Sequence, residues 1–202
     1  MTILMSDVCE FRLGPDSCGA LLTPEEFDAA EYEPGWRYEL IYGVLVVSPA
    51  ALRKERDPNE ELGRWLRNYQ ESHPRGHSLD ATFYEDTVVT ARARRRADRV
   101  IFAGLGRTPQ PGDVPTIVVE FVSAGKRNLT RDYQAKRDEY LTLGVREYWI
   151  IDRFARRLTV HRLQGETSAT QVVCEGGSYT TQLLPGFELS LDRILARADL
   201  WD

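Results

Sequence analysis

At 202 residues, with 42% hydrophobic and 28% charged side chains, the chain is long enough for one domain with a real core and too ordinary in composition for extended disorder. A formal net charge of −5 does not advertise nucleic-acid binding, no apolar run approaches the roughly 18 residues of a membrane span, and the N-terminus lacks the pattern of a secretory signal. Cys9, Cys18 and Cys174 are widely spaced and form neither a zinc pattern nor a disulfide framework, so a reducing, cytoplasmic setting is expected.

Residues 1–21 show no periodicity and are expected as a loosely ordered arm ahead of a single domain over 22–202. Thr23-Pro24-Glu25-Glu26 carries a capping box with proline at the first helical position, predicting a short helix through about Ala30. Residues 38–48 read as a strand pair or a bent strand around Gly43. Asp57-Pro58 reads as the start of an amphipathic helix over 58–71, with Leu62, Trp65, Leu66 and Tyr69 on one stripe. Strands follow at 78–90 and 97–103, with an arginine run between them. A Gly/Pro-rich loop then leads to a strand at 116–123.

Residues 129–143 predict a helix that stops at Gly144, and 145–152 an apolar strand. Further strands are expected at 157–163 and about 170–183, with a closing helix near 192–199. This succession is α/β with a mixed sheet.

Several residues break their local pattern. Three of the 26 cations are lysine and the rest arginine, whose planar fork suits phosphate and carboxylate. Arg92, Arg94, Arg95, Arg96 and Arg99 fall within eight residues, as a phosphate-facing cluster or as the solvated end of a hairpin. Glu120 sits inside an otherwise buried strand, where an unpaired carboxylate is several kcal/mol unfavourable in order of magnitude. It needs a cation, a proton or a metal, and a structural pair with a core arginine would serve as well. Asp98 opens an apolar strand 22 residues earlier, and two carboxylates on adjacent strands can share Mg²⁺.

Lys136 falls in the middle of the stripe made by Leu129, Tyr133, Tyr140 and Leu143, with Asp132 at its edge. It is either a functional lysine beside carboxylates or half of an Asp132–Lys136 helix pair. Glu39, at the start of a strand, would be explained equally well by a surface edge. Taken together, the four residues fit one scheme. Carboxylates hold Mg²⁺, a bound water attacks phosphorus, and the lysine stabilises the developing charge while arginines face the backbone.

Four stretches carry a resemblance. They are Tyr38-Glu39-Leu40-Ile41 through Gly43 to Ser48-Pro49; Arg95-Arg96-Ala97-Asp98; Val118-Val119-Glu120-Phe121-Val122-Ser123; and Asp132…Lys136…Tyr140…Gly144-Val145-Arg146-Glu147-Tyr148-Trp149…Asp152. Over residues 22–190 the chain resembles the Uma-two family of restriction endonucleases, within the PD-(D/E)XK nuclease superfamily. The resemblance implies a restriction-endonuclease-like mixed central sheet flanked by helices. It implies catalytic roles for Glu39, Asp98, Glu120 and Lys136, with metal held by the three acids and the Phe121 carbonyl.

The usual lysine slot is Val122, so the lysine would come from the following helix as Lys136, with Lys126 the alternative. Ala97 replaces the usual proline, and the histidine that many relatives carry after Ser-Pro has no counterpart between residues 50 and 70. His73, His77 and His161 read as ordinary surface or hairpin residues.

The activity this implies is Mg²⁺-dependent hydrolysis of DNA, with Mn²⁺ as a possible substitute and Arg92, Arg94, Arg95 and Arg96 against the nucleic acid. The alternative is a non-catalytic nucleic-acid-binding or regulatory module on the same fold. Superfamily relatives of this size often work as dimers, so a homodimer is expected.

Overall fold

The computed structural model describes residues 12–123, 129–164 and 167–201. They form two compact units, the first from the described residues of 12–50 with 91–95 and the second from those of 51–90 with 96–201.

In the first unit, β1 (Arg12–Leu13) pairs in parallel with β2 (Glu31–Tyr32). Between them α1 (Pro24–Ala29) starts at the predicted box: Glu26 N donates to Thr23 Oγ1 at 3.1 Å and Thr23 N donates to Glu26 Oε2 at 2.8 Å. The segment around Gly43 is a strand pair, β3 (Trp36–Ile41) antiparallel to β4 (Val44–Pro49). Its two-residue turn has Tyr42 at φ 50° and Gly43 at φ 82°, the left-handed pair that matches the twist of a tight hairpin. The described residues of the expected N-terminal arm are packed. Leu13 is 0% exposed among Phe27, Leu40 and Leu45, and Gly19 N donates to the Leu45 carbonyl at 2.8 Å.

The second unit holds α2 (Arg53–Ser72), β5 (Leu79–Val89), β6 (Ala93–Ala103), β7 (Ile117–Phe121) and α3 (Leu129–Leu143), β6 being counted here from Arg96. There follow β8 (Glu147–Asp152), β9 (Arg157–Gln164), β10 (Thr167–Cys174), β11 (Ser178–Thr180), β12 (Glu188–Ser190) and α4 (Leu191–Asp199). The sheet runs β10-β9-β8-β7-β6 with β5 also on β6, and β7–β8 is the parallel pair, its crossover made by α3. β11 and β12 form a separate antiparallel pair.

Alternation along the strands divides the core into two layers. Ile101, Ala103, Ile117, Val119, Phe121, Trp149 and Ile151 meet Leu62, Trp65, Leu66 and Tyr69 of α2 and Leu191, Ile194 and Leu195 of α4. Val100, Phe102, Val118, Val122, Tyr148 and Ile150 meet Tyr133 and Tyr140 of α3. The fold class is therefore α/β, a mixed sheet flanked by helices. No described helix is long and apolar enough to cross a membrane.

Three expected boundaries move. α2 begins five residues before Pro58, which lies inside the helix. The opening turn is held by Glu55, whose carboxylate accepts from Leu52 N at 2.8 Å, and the Pro58 ring removes only one N–H near the helix start. The arginine run is not a connection: Arg94, Arg95, Arg96 and Arg99 lie within β6. The expected strand at 170–183 is two strands, because the chain turns at Glu175-Gly176.

The buried carboxylate of Glu147 shows how this core accommodates charge. Glu147 accepts from Trp149 Nε1 at 2.9 Å, Tyr179 OH at 3.1 Å and Thr181 Oγ1 at 2.7 Å, and lies 3.4 Å from Arg162 Nε. Burial first and the Glu147 charge second push the Tyr179 phenol up to about 12.

Candidate active site

In the β6–β7 ladder Arg99 stands opposite Val119 and Val100 opposite Val118, so one step outward sets Asp98 against Glu120. Residues facing each other across a pair project to the same side of the sheet. Here that is the side of α3, as the neighbours Val100, Val118 and Val122 show. Asp98 is 8% exposed and Glu120 4%. Asp98 Oδ2 accepts from the Phe121 backbone N–H at 2.7 Å, which ties the first acid to the strand that carries the second.

Lys136 is 2% exposed and donates from Nζ to Glu120 Oε1 at 3.0 Å. Tyr140, one turn along α3, donates its hydroxyl to the same oxygen at 3.3 Å. The stripe position of Lys136 thus brings its ammonium to the strand acid Glu120. The Asp132 side chain lies outside the described ones. Lys126, the alternative donor, lies outside the described residues, and Val122 in the usual lysine slot is packed in the α3 layer.

Behind the acids, on the α2 side, lies a buried polar chain. Asn59 Nδ2 donates to the Asp98 carbonyl at 2.8 Å. Arg99 donates from Nε to Asn59 Oδ1 at 2.7 Å, from Nη2 to the Asn59 carbonyl at 2.9 Å and from Nη1 to Thr82 Oγ1 at 3.1 Å. The Thr82 hydroxyl in turn donates to the Val100 carbonyl at 3.0 Å. The hydrogen-bond partners of this guanidinium are all neutral oxygens. Burial is the main reason that Arg99 falls to about 10, far below an ordinary arginine.

Gly63 makes the room for it. A Cβ there would meet Nη2 of Arg99 at 2.5 Å and its central carbon at 2.8 Å. Gly63→Ala is therefore expected to destabilise the protein by about 1–3 kcal/mol despite alanine's better helix propensity, measured by urea denaturation. A neutral or stabilising result would mean that Arg99 moves aside at little expense.

The remaining candidates are placed as follows. Glu39 is half-buried on β3 opposite Val46, in the first unit. Arg92 is exposed, and its carbonyl accepts from Tyr42 N at 3.0 Å. Arg94 grips Asp28 with two parallel bonds, Nε to Oδ1 at 2.8 Å and Nη2 to Oδ2 at 2.7 Å. That contact is also the main reason the Asp28 carboxyl sits below its usual value. Arg95 is buried, and Arg96 lies 3.9 Å from Glu85. The run is thus dispersed by strand alternation into different surroundings. Sequence reasoning did not assign Asn59, Arg99 or Tyr140 to the site. Asn59 lies three residues before Leu62 and seven before Leu66, so a polar residue on the apolar stripe was the available signal.

The donor set fits a hard divalent cation. Mg²⁺ takes oxygen ligands, commonly one or two carboxylates with waters and substrate phosphate completing the shell. Asp98 and Glu120 project side by side, and the Phe121 carbonyl belongs to the same strand end. Among the described residues no three His, Cys, Asp or Glu side chains form a ready-made cluster, so a two-carboxylate site is the arrangement on offer.

Three comparisons bear on this geometry. No curated protein sequence matches the chain. Among solved structures, the fold is similar to a crystal structure described as a putative nuclease belonging to DUF820 from Anabaena variabilis ATCC 29413. The TM-score is 0.67 at 15% identity, covering 86% of this chain and 97% of that one. The family model described as "Putative restriction endonuclease" matches residues 24–192, a span that includes Asp98, Glu120 and Lys136. With the greater part of its length matched, the chain belongs to the Uma2 family.

Proposed function

We propose that the protein is a Mg²⁺-dependent endonuclease that hydrolyses DNA phosphodiester bonds. The observation that carries this reading is the convergence of Asp98, Glu120 and Lys136. Two acids on neighbouring strands and a buried lysine 3.0 Å from one of them face the same side of the sheet. Family membership supports a restriction-type nuclease, and oxygen-only donors support Mg²⁺, with Mn²⁺ as a substitute.

In this reading Asp98, Glu120 and the Phe121 carbonyl would hold the metal. When bound, it would supply Lewis acidity toward the phosphoryl oxygens and a lowered pKa for a bound water. Lys136 holds Glu120 in place and presents a positive charge where negative charge develops on the phosphoryl oxygens. Tyr140 fixes the same carboxylate from the next turn of α3. Water contributes its oxygen to phosphorus, the bond from phosphorus to the leaving oxygen breaks, and a proton ends on that oxygen. Glu39 is the proposed additional acid. A homodimer would set two such centres against the two strands of a duplex.

Two positions of the arginine run are poorly suited to a phosphate-facing role, since Arg94 grips Asp28 and Arg95 is buried. That favours the catalytic reading over a binding module built on those arginines. The test is calorimetric titration of Mg²⁺ into wild type, Asp98→Asn and Glu120→Gln, followed by incubation of each with supercoiled DNA. The expected outcome is metal binding and nicking by wild type alone. Equal behaviour of all three would overturn the proposal.

A further inference from the structure

On the α3 side of the sheet, next to the acid–lysine pair, lies a cavity of about 250 Å³. Its floor is Val122, Tyr133 and Ile150, which belong to the same packed layer as Tyr140. Ile150 is the β8 residue in register with Glu120, and Val122 follows that acid by two residues. The cavity is therefore one strand away from the proposed centre, not on a separate face of the unit.

Its rim is chemically different from its floor. Arg137, the residue after Lys136, and Arg157 at the start of β9 stand there with His161. His161 stacks on Tyr148 with ring centroids 6.1 Å apart, and its Nδ1 lies 2.9 Å from Thr170 Oγ1. Burial, and after it the charge of Arg137, hold that imidazole below its usual value. Two carboxylates are close. Asp152 is committed to the turn after β8, accepting from Phe154 N at 3.0 Å and Ala155 N at 2.9 Å. Asp138 accepts from Arg137 Nε at 2.8 Å, but its side chain is 66% exposed, and so open a pair is easily exchanged for a phosphate.

We propose that this cavity takes one nucleotide of the substrate strand, lifted from its stack. Its base lies beside Tyr133 on the apolar floor and its phosphate between Arg137 and Arg157. An apolar, aromatic floor with the neutral side chains of Gln134 and Thr159 in the lining suits a base, and guanidinium forks suit a phosphate. The volume is below the 300–1,000 Å³ or so of sites for drug-sized ligands, which admits a single nucleotide and excludes a duplex. The inference rests on the nuclease reading for the identity of the strand. It gives that reading a preference for unstacked or single-stranded DNA at the cleavage point.

The experiment is calorimetric titration of thymidine 5′-monophosphate, thymidine and inorganic phosphate into the full chain without metal. Wild type, Arg137→Gln, Arg157→Gln and Glu120→Gln are compared, with melting temperatures recorded alongside. The nucleotide is expected to bind wild type and Glu120→Gln alike, and each arginine variant about tenfold or more weakly. Both arginines lie at the rim, so the melting temperatures should stay near wild type. No nucleotide binding, binding indifferent to both arginines, or phosphate alone binding as tightly as the nucleotide would each overturn the inference. Arginine-dependent nucleotide binding in a protein whose DNA nicking ignores Glu120→Gln would leave the cavity standing and remove the nuclease reading. Glu120-dependent nicking without nucleotide binding would do the reverse.

Discussion

Lys136→Met is expected to lower stability by about 3–5 kcal/mol and to abolish DNA nicking in the same protein. The lysine is 2% exposed and the carboxylate it meets 4%, so removing the ammonium leaves a charge in the core without that counter-ion. Glu120 would then take up a proton or disturb the layer around Tyr140. The double variant Lys136→Met/Glu120→Gln should recover most of the loss, because a neutral amide can still accept the Tyr140 hydrogen bond. Urea denaturation of the four proteins closes the double-mutant cycle.

Added Mg²⁺ gives a second readout. If Glu120 is a metal ligand, the single variant should gain more stability from Mg²⁺ than wild type does, since the ion supplies the missing positive charge. A single variant as stable as wild type, or a double variant no better than the single, would show that the pair does not carry the charge balance of this core.

Asn59→Ala should have the second-largest effect, and through a different route. Asn59 touches no proposed metal ligand by its side-chain atoms except the backbone of Asp98, to whose carbonyl it donates at 2.8 Å. Its other end receives Arg99. Deleting it loosens the strand at Asp98 and strips a buried guanidinium of its amide acceptor. A loss of about 2–4 kcal/mol in stability and about 10–100-fold in Mg²⁺ affinity is expected.

A purely structural asparagine would lower the melting temperature and leave the Mg²⁺ dissociation constant of the folded protein untouched. Asn59→Asp is the informative companion. It keeps an acceptor for Arg99 and places a negative charge beside it, so stability should largely return, while the bond to the Asp98 carbonyl stays lost and metal affinity stays weak. Unchanged metal affinity in both variants would confine Asn59 to the core.

How much of this was legible beforehand depends on the kind of residue. Glu120 stood out because a carboxylate interrupts an apolar strand, Asp98 because one opens such a strand, and Lys136 because a cation interrupts an apolar helical stripe. Each breaks a period set by local geometry, and a broken local period can be seen in one dimension. The arginine run looked like a unit for the opposite reason, through mere adjacency. Successive strand residues point to opposite sides, so Arg94 finds Asp28 while Arg95 is buried. Pro58 was misleading as a helix start because the Glu55 carboxylate already holds the earlier turn.

By itself the sequence determined the class of fold, most element positions and the type of chemistry its odd residues could support. These follow from periodicity and from the expense of burying charge, which are properties of short segments. Only the tertiary structure decided who meets whom. The Lys136–Glu120 bond joins residues 16 apart and the Arg99–Asn59 bond residues 40 apart. Strand register and the seating of α2 and α3 bring those atoms within hydrogen-bond range. A slip of one residue in either strand would turn its acid to the other face of the sheet and separate the two carboxylates. No local pattern encodes that choice, because it is made by the packing of whole layers.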